Sequence, residues 1–289
     1  MSGLFDNIHP ELDQAGAIEI LATEFQDLES DSDYYMAIAH LVNFPGQLAN
    51  EALLNFLGRV STESAVLLAQ RKAVEVLARL GVTQAQEKIA SFLDSSDIYM
   101  VENAAWALAQ IGCQDQSVHQ RLIQLLHDSR QNQRVLIQSL SQLSVFTALS
   151  SIAPLMNHEK SSVCGAAIAA TIHLSGDRTR LADLADHLYV PNQMDRQSAV
   201  QDVIDAGGIE LMPSLLQAPI SPAFRMRAVR ALVDRSSGEQ LKNSALSAVD
   251  QVLRDVPRLI TVLHHYADPL PTQLLVEGLF HPDFSRCYL

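Results

Sequence analysis

A single tryptophan, two short arginine-bearing segments and three cysteines are the residues of this 289-residue sequence that invite a chemical role. Trp106 offers a large flat face, which suits a partner protein or a planar ligand, or else folds back over its own neighbours. Arg196 beside Asp195, and Arg225 with Arg227, offer guanidinium forks that suit carboxylates. The same arginines would serve equally as salt bridges between neighbouring structural repeats. Of Cys113, Cys164 and Cys287, only Cys164 falls where a helix N-terminus would favour a thiolate, and a small buried cysteine is the ordinary alternative.

Other chemistries find no support. The acidic run from Asp27 to Asp33 lacks the glycine and the closing bidentate glutamate of a calcium loop, so it reads as a solvated turn with Asp33 capping a helix. No His-Glu-x-x-His is present, and adjacent His264 and His265 point to different helix faces, so no metal site is expected. Phosphate-cradling glycine loops and hydrolase elbows are absent as well.

Those residues must be positioned by helices, because an Ala-rich apolar segment recurs along the chain. Its copies start at Ala37, Ala73, Ala104, Leu136, Ala167, Ala199 and Ala228, spaced 29 to 36 residues apart. Apolar residues fill positions one, two and five of the copies almost wholly, and position eight of the first five, which marks one face of a helix. Gly81, Gly112 and Gly207 at position nine, with Pro45, mark where the first helices of four copies stop. A second helix follows, as in Gln86 to Leu93, Val118 to Leu126, Ala148 to Met156 and Leu181 to Leu188. The expected fold is therefore all-α, a HEAT-like repeat superhelix or solenoid. Residues 1–33 should form an N-terminal cap with one helix near Glu11 to Phe25, residues 34–258 the array, and residues 259–289 a docking tail. Trp106 stands out at position three, where the other copies carry Ala39, Glu75, Gln138, Ala169, Gln201 and Arg230. Arg196 and Arg225 both lie three residues before their copies begin, so stacking should bring them side by side.

Composition narrows the partners. A formal net charge of −13 disfavours nucleic acid and anionic membrane surfaces. Sixteen arginines against four lysines lean towards carboxylate recognition. Three scattered cysteines fit a reducing compartment, and neither a signal peptide nor a membrane-spanning run is visible, so a cytoplasmic location without membrane insertion is expected.

Four segments, Tyr34 to Leu41, Gln70 to Gly81, Met100 to Leu108 and Pro191 to Asp202, resemble those of the E/F-type phycobilin lyases. The likeness runs over about residues 30 to 289 and is strongest to E subunits that act on the phycocyanin α subunit. It implies a heterodimer with a smaller F subunit. It implies attachment of phycocyanobilin, as substrate and with no cofactor, by a thioether to a cysteine of the phycobiliprotein α subunit. The acceptor's thiol adds to the ethylidene group of the bilin A ring, so the lyase needs no nucleophile of its own. Holding a flexible dianionic bilin calls for arginine forks, a carboxylate towards the pyrrole nitrogens and an aromatic platform. The chemistry and the repeat frame suggest Arg196, Arg225 and Arg227 for the first, Asp195 or Glu102 for the second, and Trp106 or Tyr99 for the third. A lyase that also isomerises its bilin, as for phycoerythrocyanin, and a non-catalytic scaffold in phycobilisome assembly or degradation are the alternatives.

Overall fold

The residues that open the seven copies, six alanines and Leu136, are all buried where one helix crosses the next. A methyl group at such a crossing lets two helix backbones approach without a cavity, which the period of the sequence anticipates. The structure is a computed structural model that describes residues 12–235 and 239–254, and among these every regular element is helical. The proposed tail, 259–289, with Cys287, His264 and His265, lies outside the described residues.

The chain divides into two compact units, 1–151 and 152–289. In the first, the cap helix α1 (Gln14–Ala22) packs on α2 (Asp33–Leu41) and α3 (Gln47–Leu57). The first helices of the repeats, α2, α4 (Ser64–Arg79), α6 (Ile98–Ile111) and α8 (Gln133–Gln142), contact one another in succession. Second helices α3, α5 (Gln86–Ser91) and α7 (Gln116–Leu126) each support the first helix that follows. A single turn, α9 (Leu149–Ile152), stands where the two units divide. In the second unit α10 (Ser161–Ser175) packs on α12 (Gln193–Asp205), and α12 on α14 (Pro222–Asp234). Short helices α11 (Asp183–His187) and α13 (Met212–Gln217) fill the second row, and α15 (Glu239–Leu253) packs on α13 and α14.

The expected helix stops are present. Gly81, Gly112 and Gly207 take φ of 68°, 78° and 58°, the left-handed conformation that closes a helix at little cost only without a Cβ. In the fourth copy Ser144 takes the same position with φ 56°, so the geometry of the stop persists where the glycine does not. The second helices are shorter than the apolar pattern suggests. Phe92–Asp94, Phe146–Ala148 and Ala153–Asn157 are 3-10 turns, the last containing Pro154, whose missing N–H cannot continue an α-helix. Ser32, rather than Asp33, stands at the N-cap position of α2, and the Asp33 carboxylate turns back to accept from the Ser30 N–H at 2.9 Å.

The cap is held by one part-buried arginine. Arg59 donates to the Leu21 carbonyl (2.7 Å), the Thr23 carbonyl (3.1 Å) and the Tyr34 hydroxyl (2.7 Å), and lies over the Tyr34 and Phe56 rings at 5.2 and 5.4 Å. Tyr34 is fully buried and itself donates to the Thr23 carbonyl at 2.6 Å. Truncating Arg59 removes the side-chain donor to the Leu21 carbonyl and to the Tyr34 hydroxyl, leaving the Thr23 carbonyl with Tyr34 alone. Arg59→Ala is expected to destabilise the first unit by about 2–3 kcal/mol, with hydrogen-exchange protection lost first in α1. Unchanged α1 protection would show that the cap docks without this arginine.

Candidate functional site

On α6, Tyr99, Glu102 and Trp106 follow one another at helical spacing, so they share one face. Tyr99 is 57% exposed, while Glu102 and Trp106 are half-buried. The fold puts them there by a simple division of labour: Met100, Val101, Ala104, Ala105, Ala107 and Leu108 bury the opposite side of the helix. Asp97 caps α6 by accepting from the Tyr99 N–H at 3.0 Å, which fixes the turn carrying Tyr99. From the preceding repeat, Arg71 ion-pairs with Asp97 at 2.6 Å and lies over the Tyr99 ring at 5.1 Å. Towards α8 the face continues through an amide pair, Gln110 donating to Gln142 at 3.1 Å.

This arrangement supplies two aromatic rings, a carboxylate and a neighbouring cation on one accessible surface. It can hold a planar, polar, anionic molecule by stacking, with Glu102 available to accept from N–H donors. Sequence reasoning missed Arg71 and Asp97. The signal was present, since Asp97 stands directly before the first apolar residue of its helix, the place of a capping residue.

The proposed arginine ladder has a different job. Three residues before the repeat frame, in six of the seven copies, the side chain reaches back to a backbone carbonyl near the end of the preceding helix or loop; the third copy has Val101 there. Tyr34 donates to Thr23 (2.6 Å), Gln70 to Arg59 (2.8 Å), Gln133 to Leu126 (3.1 Å) and Cys164 to Met156 (2.9 Å). In the same place Arg196 donates to Val190 (2.9 Å), Pro191 (2.7 Å) and, from Nε, Pro219 (3.0 Å), and Arg225 donates to Leu216 (2.7 Å). Arg196 is 9% exposed and Arg225 1%. Burial pulls the Arg196 guanidinium below its usual value. Their forks are therefore turned inward onto backbone, because carbonyls at helix ends have no helical partner and need a donor. A ligand carboxylate would have to break those bonds to reach them.

Arg227 is exposed and donates to Gln201, whose amide in turn donates to Asp205 at 2.7 Å. Asp195 is half-buried in the first turn of α12, where Asn192 caps its N–H at 3.2 Å. Thus α6 gathers Tyr99, Glu102 and Trp106 in the first unit, whereas Asp195, Arg196, Arg225 and Arg227 all belong to the second. Arg196→Ala is expected to destabilise the second unit by about 2–3 kcal/mol while leaving the ligand affinity of folded protein unchanged. Lost affinity with unchanged melting would restore the ligand role.

Neither described cysteine is presented as a nucleophile. Cys113 and Cys164 are buried, and burial pushes the Cys164 thiol up. Among the described residues no cluster of His, Cys, Asp and Glu is arranged to hold a metal ion, and no helix is long and apolar enough to cross a membrane.

Residues 50–141 match the HEAT-repeat family. The chain is 38% identical to the bilin biosynthesis protein CpeY of Synechococcus sp. (strain WH8020), over 90% of this chain and 62% of that protein. It is 33% identical to the uncharacterized phycocyanin operon protein Y of Pseudanabaena tenuis (strain PCC 7409), over 94% of this chain and 65% of that protein. It therefore spans just under two thirds of the length of these relatives. Its fold matches a chain in the complex of CpcE and CpcF of phycocyanin lyase from Nostoc sp. PCC7120, with a TM-score of 0.73 over 85% of this chain and 96% of that one. At 22% identity that likeness is one of fold.

Proposed function

We propose that the chain is a member of the E/F-type phycobilin lyases, supported by its likeness to the bilin biosynthesis protein and the phycocyanin operon protein, and that it is one subunit of a heterodimeric lyase that attaches an open-chain tetrapyrrole to a phycobiliprotein. The observation that carries the reading is the α6 face. Trp106 and Tyr99 serve as the platform for the pyrrole rings, and Glu102 accepts hydrogen bonds from the pyrrole N–H groups. A flexible bilin held flat in one conformation has its A ring presented to the incoming thiol, which is how a binding surface without a nucleophile accelerates addition. The acceptor's cysteine provides the sulfur and adds to the A-ring ethylidene, and the buried state of Cys113 and Cys164 fits that division. Phycocyanobilin is the proposed substrate and the phycocyanin α subunit the proposed acceptor, with an F-type subunit completing the enzyme. Asp195 and Arg227, on the second unit, are left for contacts with that subunit or with the acceptor.

Co-expression of this chain with an F-type subunit, a phycocyanin α subunit and a phycocyanobilin source tests the reading. Covalent colour on the acceptor, retained in a denaturing gel and dependent on this chain, is the expected result. A product absorbing as an isomerised bilin would make it a lyase-isomerase. Acceptor coloured equally well without the chain would overturn the proposal and leave a scaffold.

A further inference from the structure

We propose that Glu75 is a built-in stand-in for a ligand carboxylate, holding Lys72 and Arg79 in the arrangement that one propionate of a bilin takes over. The proposal rests on the bilin-binding reading of the α6 face and adds to it a carboxylate subsite on α4.

The geometry begins with one carboxylate shared by two cations. Lys72 Nζ lies 2.9 Å from one Glu75 oxygen and Arg79 Nη2 lies 2.9 Å from the other. Pairs three and four residues apart on a solvated helix are common and contribute little. This cluster differs in its setting. The Lys72 side chain is only 16% exposed and its ammonium lies 5.6 Å from the centre of the Tyr35 ring, contributed by α2. An ammonium so placed has given up much of its water, so its attraction for a carboxylate exceeds that of a freely solvated lysine.

Position supplies the second argument. Glu75 occupies the third place of its repeat, the same place that Trp106 occupies in the next. Helices α4 and α6 pack directly on each other, so the two side chains stand about one helix spacing apart, roughly 8–10 Å. Four pyrrole rings joined in a row reach across such a step. A bilin stacked on Trp106 therefore carries a propionate to the Lys72–Arg79 pair, where it competes with Glu75. Exchange keeps the charge count constant: the propionate enters the two ion pairs and Glu75 swings out to water. A bilin without ionised propionates has nothing to exchange and leaves Glu75 in place. The subsite thus makes the face selective for the diacid.

The test titrates the full chain with phycocyanobilin and with its dimethyl ester, followed by bilin absorbance and by quenching of the one tryptophan. Glu75→Gln removes the competing carboxylate and is expected to tighten diacid binding about tenfold, with the ester unaffected. Lys72→Met is expected to weaken diacid binding about five- to tenfold, again without effect on the ester. If wild-type chain binds both compounds and neither variant moves the diacid relative to the ester, the proposal is wrong and the α6 reading stands. If the wild-type chain binds neither, both fall. Melting followed by circular dichroism checks that each variant is folded.

Discussion

Replacing Gly165 by alanine is expected to destabilise the second unit by about 2–3 kcal/mol, lowering its melting temperature by about 5–10 °C. Helix propensity alone argues the other way, since alanine inside a helix is favoured over glycine by about 1 kcal/mol. Space decides the sign. A Cβ built on Gly165 would lie 2.3 Å from the Asp202 Oδ2 and 3.0 Å from the His187 Nδ1. Asp202 is 1% exposed, and its short side chain has nowhere to swing. The His187 Nδ1 is buried without a hydrogen-bond partner among the described residues, and burial holds that imidazole below its usual value. Either the carboxylate moves away from its own contacts or α10 and α12 separate, and both exceed the propensity gain. The double variant Gly165→Ala/Asp202→Ala should be less destabilised than the sum of the singles by at least about 1 kcal/mol, because the clash needs both groups. A Gly165→Ala protein that melts higher than wild type would mean that Asp202 relocates freely.

Trp106→Ala carries the largest expected effect on function, a weakening of bilin binding by about ten- to a hundredfold with a matching loss of transfer to the acceptor. Aromatic platforms of this kind contribute about 1–3 kcal/mol to the stacking of a flat heterocycle, and each 1.4 kcal/mol is a factor of ten. The residue is half-buried, so the same change should destabilise the fold by no more than about 1–2 kcal/mol. Trp106→Phe, which keeps a flat face, is expected to retain most of the affinity. The competing reading makes Trp106 a contact for the F-type partner. Bilin titration of the chain by itself separates the two. If Trp106→Ala binds bilin normally but no longer co-purifies with the partner, the tryptophan belongs to an interface.

The arginines show how a correct alignment can carry a wrong inference. Arg196 and Arg225 do occupy equivalent places, yet the shared feature is not charge. Tyr34, Gln70, Gln133 and Cys164 stand in that place too, and what all six have in common is a donor aimed at a backbone carbonyl. Comparing all seven copies at that position, rather than the last two, discloses a donor in six of them, with Val101 of the third as the exception. The Asp202–His187–Gly165 contact offers no such clue, since residues from three helices converge at no regular spacing.

What the sequence determined by itself is the local periodicity: first helices carrying a small residue at the head of nearly every repeat frame, three of them stopped by glycine at position nine, and Trp106 as the copy that breaks its row. These follow from spacing along one chain, where neighbours three and four residues apart must share a face. Only the tertiary structure decided which donors are spent on backbone, how deeply Lys72 is buried against the Tyr35 ring of the neighbouring helix, and which arginine lies over Tyr99. Burial and hydrogen-bond partners across helices are set by packing distance, and no interval along the chain encodes that distance. The α6 face was therefore legible in outline, while the arginine ladder became part of the frame that supports the repeats.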